Sequence, residues 1–192
     1  MTYEKETLNL LRQSLDEEED ETSIIPILEN HHKYLKEYVN IFLNPNIDSS
    51  DKISTTRLFF PIFTMHAKAE EEIFYDTLKD ANDRELKLYG LKSEDEHAIA
   101  FELIDELKAM NCELIWSQEI EVKIQLLATL VKNHLKEEEL VMFPLAEKYI
   151  PESQLLNLSD DYLEKCKLYL EEEQRGVVPP EVSRSDVITL FY

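Results

Sequence analysis

Two stretches of this chain place a Glu four residues after a His: His66-Ala67-Lys68-Ala69-Glu70 and His134-Leu135-Lys136-Glu137-Glu138. On a helix, residues four apart share a face, with Cβ atoms roughly 5–6 Å apart. An imidazole and a carboxylate so placed can reach one metal ion, or the carboxylate can bridge to a second. Two such pairs on two helices can build a pocket from opposite sides. His31, His32 and His97 complete the 5 His of the chain, and all 5 fall on stretches with helical apolar spacing. A single His on an apolar face is ordinarily a hydrogen-bonded core residue. Four helices that each bring one, two of them with Glu at the matching offset, point instead to metal binding. Imidazole and carboxylate without thiolate suit iron, manganese or zinc rather than a Cys-rich structural zinc site. The set exceeds what one tetrahedral ion needs, and two ions sharing two carboxylates use it economically.

The elements that must carry these residues read as helices. The chain holds only 2 Gly, too few for the tight turns of a sheet-rich fold. Ile24, Leu28, Leu35 and Phe42 mark the buried face of a first long helix, capped by Thr22 or Ser23 and stopped by Asn44-Pro45-Asn46. A second starts at Ser49 or Ser50 and runs to about residue 80, with His66 and Glu70 continuing the line of Phe59, Ile62 and Phe63. A loop is expected over 80–92, followed by a capping box, Ser93 to Glu96, that opens the third helix with His97 in its first turns. A fourth, capped by Ser117, carries Ile120, Ile124, Leu127 and Val131 up to His134 and Glu138 and ends near Ile150-Pro151. The expected fold is all-α, an up-down-up-down four-helix bundle with short accessory helices at both ends. Residues 1–21 read as an accessory helix with Leu8, Leu11 and Leu15 on one side and an acidic linker. Residues 22–150 form the bundle, and 151–192 hold a short helix over about 160–174 and an extended tail.

The chain's 192 residues favour one domain, and 43% hydrophobic against 32% charged residues is the balance of a soluble globular protein. A net charge of −21 repels phosphate backbones and anionic membranes, which disfavours nucleic acid and lipid surfaces as partners. No apolar run reaches the ~18–20 residues that span a bilayer. The N-terminus lacks the pattern of a signal peptide. Cys112 and Cys166 read as reduced thiols of a cytoplasmic protein. There is no Gly-rich phosphate loop and no nucleophile–His–acid signature.

Taken in order, His32, His66-x-x-x-Glu70, His97 and His134-x-x-x-Glu138 resemble the hemerythrin-like, or HHE cation-binding, family over about residues 22–150. The phrases Glu96-His97 and Glu138-Glu139-Leu140-Val141-Met142-Phe143-Pro144 resemble it too. The resemblance implies a four-helix bundle around two non-haem irons, for which zinc or manganese could substitute. It implies bridging roles for Glu70 and Glu138 and terminal ligation by His32, His66, His97 and His134. His32 is favoured over the adjacent His31, which is left as a supporting group or a replacement ligand. Oxygen-carrying members hold a second His on the third helix, four residues after the first; here Phe101 stands in that place. A terminal ligand is then missing unless His31 supplies it, and an open position suits O2, nitric oxide, peroxide or water. The resemblance therefore implies a protein that binds or senses such a small ligand. The alternative it allows is a repair or protection factor for iron–sulfur clusters under oxidative or nitrosative stress, although residues 1–21 lack the Cys such factors carry. Whether the centre turns over a substrate is left open.

Overall fold

The computed structural model describes residues 22–176; the helix and acidic linker expected over 1–21 and the tail over 177–192 lie outside the described residues. Helix α1 spans Ile24–Leu43. The second rod is α2, Ser49–Glu70, a five-residue π-helical segment, Glu71–Tyr75, and α3, Asp76–Asp80. The third is α4, Arg84–Ala109. The fourth repeats the plan of the second, with α5, Gln118–Glu137, a π-helical segment, Glu138–Met142, and α6, Phe143–Tyr149. Helix α7, Glu152–Gly176, follows. Short connections make successive rods antiparallel. The result is an all-α four-helix bundle, with α1 against α2 and α5, α4 against α3 and α5, and α7 lying along α2 and α1.

Several boundaries differ from the sequence expectation, each for a local reason. Asp48, not Ser49 or Ser50, caps α2, its carboxylate accepting from the Ser50 and Asp51 N–H groups. The loop expected over 80–92 shrinks to three residues. Asp83 accepts from the Glu85 and Leu86 N–H groups and starts α4 at Arg84, so Ser93 is a buried mid-helix residue rather than a cap. Gly90 allows this: a Cβ there would stand 3.3 Å from Leu78 Cβ, Lys79 Cγ and the Tyr75 carbonyl oxygen. At Ser117 the expected cap is present, its hydroxyl accepting from the Ile120 N–H. The short helix expected over 160–174 begins at Glu152. Its buried stripe of Leu155, Tyr162, Leu163, Cys166 and Leu170 explains why, since one apolar face runs through the whole length.

The core is aromatic near the centre of the bundle. Phe42, Phe59, Phe63, Phe74 and Phe143 are fully buried, with Phe42 edge-on to Phe59 at 5.4 Å and Phe74 edge-on to Phe143 at 5.7 Å. Burying each such ring stabilises the fold by roughly 1.5–3 kcal/mol. That burial offsets the cost of the polar cluster these rings enclose.

Candidate metal centre

The two π-helical segments begin beside the two Glu residues that the sequence singles out. In each, an N–H bonds five residues back, Asp76 to Glu71 and Phe143 to Glu138. A regular α-helix turns a residue five positions on by roughly 140° from its start; a π-helix leaves it within roughly 50°. The widened turns therefore bring Tyr75 onto the face of Glu70, and Phe143 onto that of Glu138.

All six predicted donors converge inside the bundle. His32, His66, Glu70 and Glu138 offer ligand atoms within 4.8 Å of one another, and so do Glu70, His97 and His134. Glu70 belongs to both groups, and Glu138 Oε2 lies 3.2 Å from His134 Nε2 as well as 3.4 Å from His32 Nε2. Each carboxylate thus faces imidazoles of both groups. Every one of the six is buried, none more than 3% exposed. His31 is in neither group. Its Nδ1 lies 2.8 Å from the Tyr162 hydroxyl, so it supports the cluster from behind.

Each of the four ligand-set imidazoles is held by its Nδ1. His32 Nδ1 meets Glu139 Oε1 at 2.9 Å, His97 Nδ1 meets Glu71 Oε1 at 3.0 Å, His134 Nδ1 meets Glu96 Oε2 at 2.9 Å, and His66 Nδ1 meets the Tyr162 hydroxyl at 2.9 Å. An ionised carboxylate only accepts, so it fixes the proton on Nδ1 and leaves Nε2 as a bare lone pair. Carboxylate support of this kind orients imidazoles towards a metal. Two of these braces directly follow the interior Glu residues in the chain. Glu71 and Glu139 lie beside them in sequence yet reach sideways to the neighbouring rods. Like Glu96, each meets an imidazole from outside the donor groups rather than entering them.

The residues present fit a cation pair. His32 Nε2, His66 Nε2, Glu70 Oε1 and Glu138 Oε2 are fully buried with no hydrogen-bond partner. A buried polar atom without a partner costs about 1–3 kcal/mol, and four on residues clustered this closely need a common partner. His97 Nε2 and His134 Nε2 stand 2.9 Å apart. With both Nδ1 atoms donating to carboxylates, two lone pairs face each other unless a proton or a cation intervenes. The charge state of the metal-free chain agrees. Burial, and then the neighbouring Glu138, hold the Glu70 carboxyl well above the usual range. Burial and surrounding imidazoles hold His66 and His97 well below theirs. Burial lowers His134 too, but Glu138 and Glu96 outweigh it and raise that ring. Glu70, His66 and His97 thus favour their neutral forms in the metal-free chain, and His134 favours its charged form.

Two residues missed or undervalued in the sequence complete the cluster. Tyr162 comes from α7, a helix with no local signal linking it to a site; its hydroxyl lies between His31 and His66. Tyr75 carries no motif that ties it to the donors, but its hydroxyl lies 2.5 Å from Glu138 Oε1 and 3.0 Å from Glu70 Oε2. The surface groove between α4 and α5, lined by Ile99, Leu103, Leu126 and Leu130, touches none of the donors.

No curated protein and no solved structure matches the chain. The hemerythrin HHE cation binding domain matches residues 23–147. That span holds all six donors and their three carboxylate braces, and it ends before α7. Two clustered His/Glu ligand groups sharing carboxylates match a carboxylate-bridged di-metal centre, and the chain belongs to the hemerythrin HHE cation-binding family.

Proposed function

We propose that the protein holds two non-haem irons and binds a small ligand, O2, nitric oxide or peroxide, at that centre. His32 and His66 would hold one ion, His97 and His134 the other, with Glu70 and Glu138 bridging them. The observation that carries this reading is the set of four buried, unpartnered atoms, two imidazole nitrogens and two carboxylate oxygens, on four residues whose ligand atoms lie within 4.8 Å of one another. Donor chemistry favours iron over a structural zinc site, because no thiolate is among the clustered donors of the described residues. Bound iron supplies a site for small ligands and a reservoir of one or two electrons.

The chain's own residues set what can reach it. Phe63 stands edge-on to His97 at 5.8 Å, and Phe143 stacks on His32 at 5.4 Å. With every donor buried, these rings exclude bulk water and admit only something small. Glu139, Glu71, Glu96 and Tyr162 hold the imidazoles while a ligand comes and goes. On this reading Phe101, which packs its ring against Phe63 and His97, leaves the third helix with one ligand, and a coordination position stays exchangeable. Described residues include no helix long and apolar enough to cross a membrane.

The test is metal analysis and an absorption spectrum of protein purified from iron-replete cells, with and without azide. The expected result is about two irons per chain, matching the two donor groups, and a charge-transfer band that azide shifts. A chain that takes up no iron sinks the reading. Two irons with no response to azide would sink the exchangeable position alone.

A further inference from the structure

The Tyr75 hydroxyl stands among the donor atoms themselves. It lies 2.5 Å from Glu138 Oε1, 3.0 Å from Glu70 Oε2 and 3.4 Å from His134 Nε2. Two donors about 2.1 Å from one ion and at right angles to each other are about 3.0 Å apart. The three separations suit hydrogen bonds in the metal-free chain and equally suit neighbours in one coordination shell. They match the spacing among the clustered donors: 3.2 Å for His134 Nε2 to Glu138 Oε2 and 3.4 Å for His66 Nε2 to Glu70 Oε2. A phenol has one proton to give, so its hydroxyl can donate to only one of these three neighbours at a time. A cation answers all of them together.

The position also meets a need. Phe101 occupies the place where the third helix could have offered a second imidazole. His31, the other candidate, faces the Tyr162 hydroxyl and stands outside both donor groups. Tyr75 lies on the side that lacks the ligand, its ring 5.4 Å from that of His97. The π-helical segment puts it there, and Gly90 lets α4 close against its carbonyl oxygen.

We infer that Tyr75 is a ligand of the ion gathered by His97 and His134, taking the place of the absent imidazole. The inference rests on the di-iron reading and deepens it. On binding, the phenolic O–H bond breaks, the proton leaves to solvent, and the phenolate oxygen bonds the metal; nothing is oxidised or reduced. That ion then has His97, His134, Tyr75 and the two bridging carboxylates. The ion on His32 and His66 has only two imidazoles and the bridges, so it becomes the exchangeable one.

The test compares wild type, Tyr75→Phe and Tyr162→Phe, each loaded with iron in air. Wild type should show a visible phenolate-to-iron(III) absorption with resonance-enhanced phenolate ring modes. Tyr75→Phe should keep about two irons per chain yet lose the band entirely. It should also release about one proton fewer on loading. Tyr162→Phe should keep the band, because the Tyr162 hydroxyl meets His66 at Nδ1, away from the donor group, and His31, which stands outside it. Wild-type protein with two irons and no phenolate modes overturns the inference and leaves the di-iron reading standing. That measurement decides the matter even if the variant fails to fold. Wild-type protein with no iron overturns both.

Discussion

The second and fourth rods of the bundle carry the same device and finish it differently. Each has a His, a Glu four residues on that enters the centre, and a following Glu that braces an imidazole of a neighbouring rod. In each, a π-helical turn returns the residue five past the interior Glu to the site face. On the second rod that residue is Tyr75, with its hydroxyl against both interior carboxylates; on the fourth it is Phe143, stacked on His32. The braces differ too. Glu139 is held by His32 and Lys36, and those contacts, against the opposing pull of burial, lower it to about 2. Burial and then Glu94 push Glu71 up to about 7. A repeated sequence motif thus builds a centre whose two halves are chemically unequal. One half carries a phenol and a brace that burial pushes towards its neutral form, the other a bare aromatic wall and a firmly charged brace.

The largest expected effect separates the two Glu of one motif. Glu138→Ala removes an oxygen that faces imidazoles of both groups, so two cations would confront each other with less negative charge between them. Iron content should fall from about two per chain to about one or less. Glu139→Ala removes only the brace on His32 and should retain both irons, held about 10–100-fold more weakly. Metal analysis after dialysis against a graded chelator reads both. Equal metal content in the two variants would break the distinction between interior and bracing carboxylates on which the comparison stands.

A smaller effect is expected at the one brace that is not a carboxylate. Tyr162→Phe deletes the hydroxyl between His31 and His66, leaving two buried ring nitrogens without that partner. Metal-free stability should drop by about 1–3 kcal/mol, seen as a shifted denaturation midpoint. Affinity for the His32–His66 ion should fall about tenfold. Glu96→Gln keeps an oxygen able to accept from His134 Nδ1 and should lose less. If Glu96→Gln proves the more damaging, the carboxylate charge rather than the contact is what holds these rings.

Legibility in the sequence followed the range of the interaction. The six donors could be found because each interior Glu is tied to its His by a four-residue offset within one helix, and because apolar neighbours such as Phe59 and Ile62 fix the face. Phe101 could be noticed for the same reason, at four residues from His97. Tyr75 could not be placed, because α-helical geometry points it away from Glu70 and only the π-helical turn returns it. Tyr162 is separated from His66 by 96 positions, and nothing local in α7 says that its hydroxyl meets an imidazole. The early start of α4 was hidden by Gly90, read as a loop residue when it serves a close helix approach.

The smallest predicted effect tests the inequality of the two braces directly, in the metal-free protein. Glu139 is lowered from the ordinary value of 4.5 to about 2, so the folded state binds protons less readily than the unfolded chain. Its stabilisation is complete above pH about 4.5 and fades as pH falls towards 2. Glu71 is raised from 4.5 to about 7, so the folded state favours its neutral form. Its contribution is complete below about 4.5 and is lost as pH rises through 7. Both side chains are partly exposed, and solvent screening reduces each effect to on the order of 1 kcal/mol. Glu139→Gln should therefore destabilise by that amount at both pH 5 and pH 8. Glu71→Gln should be close to neutral at pH 5 and stabilise by a similar amount at pH 8, where it removes a half-buried charge that the fold disfavours. Denaturant midpoints at the two pH values are enough to read this. If the two substitutions shift stability in the same direction at pH 8, the braces are alike, and the asymmetry between the halves reduces to Tyr75 against Phe143.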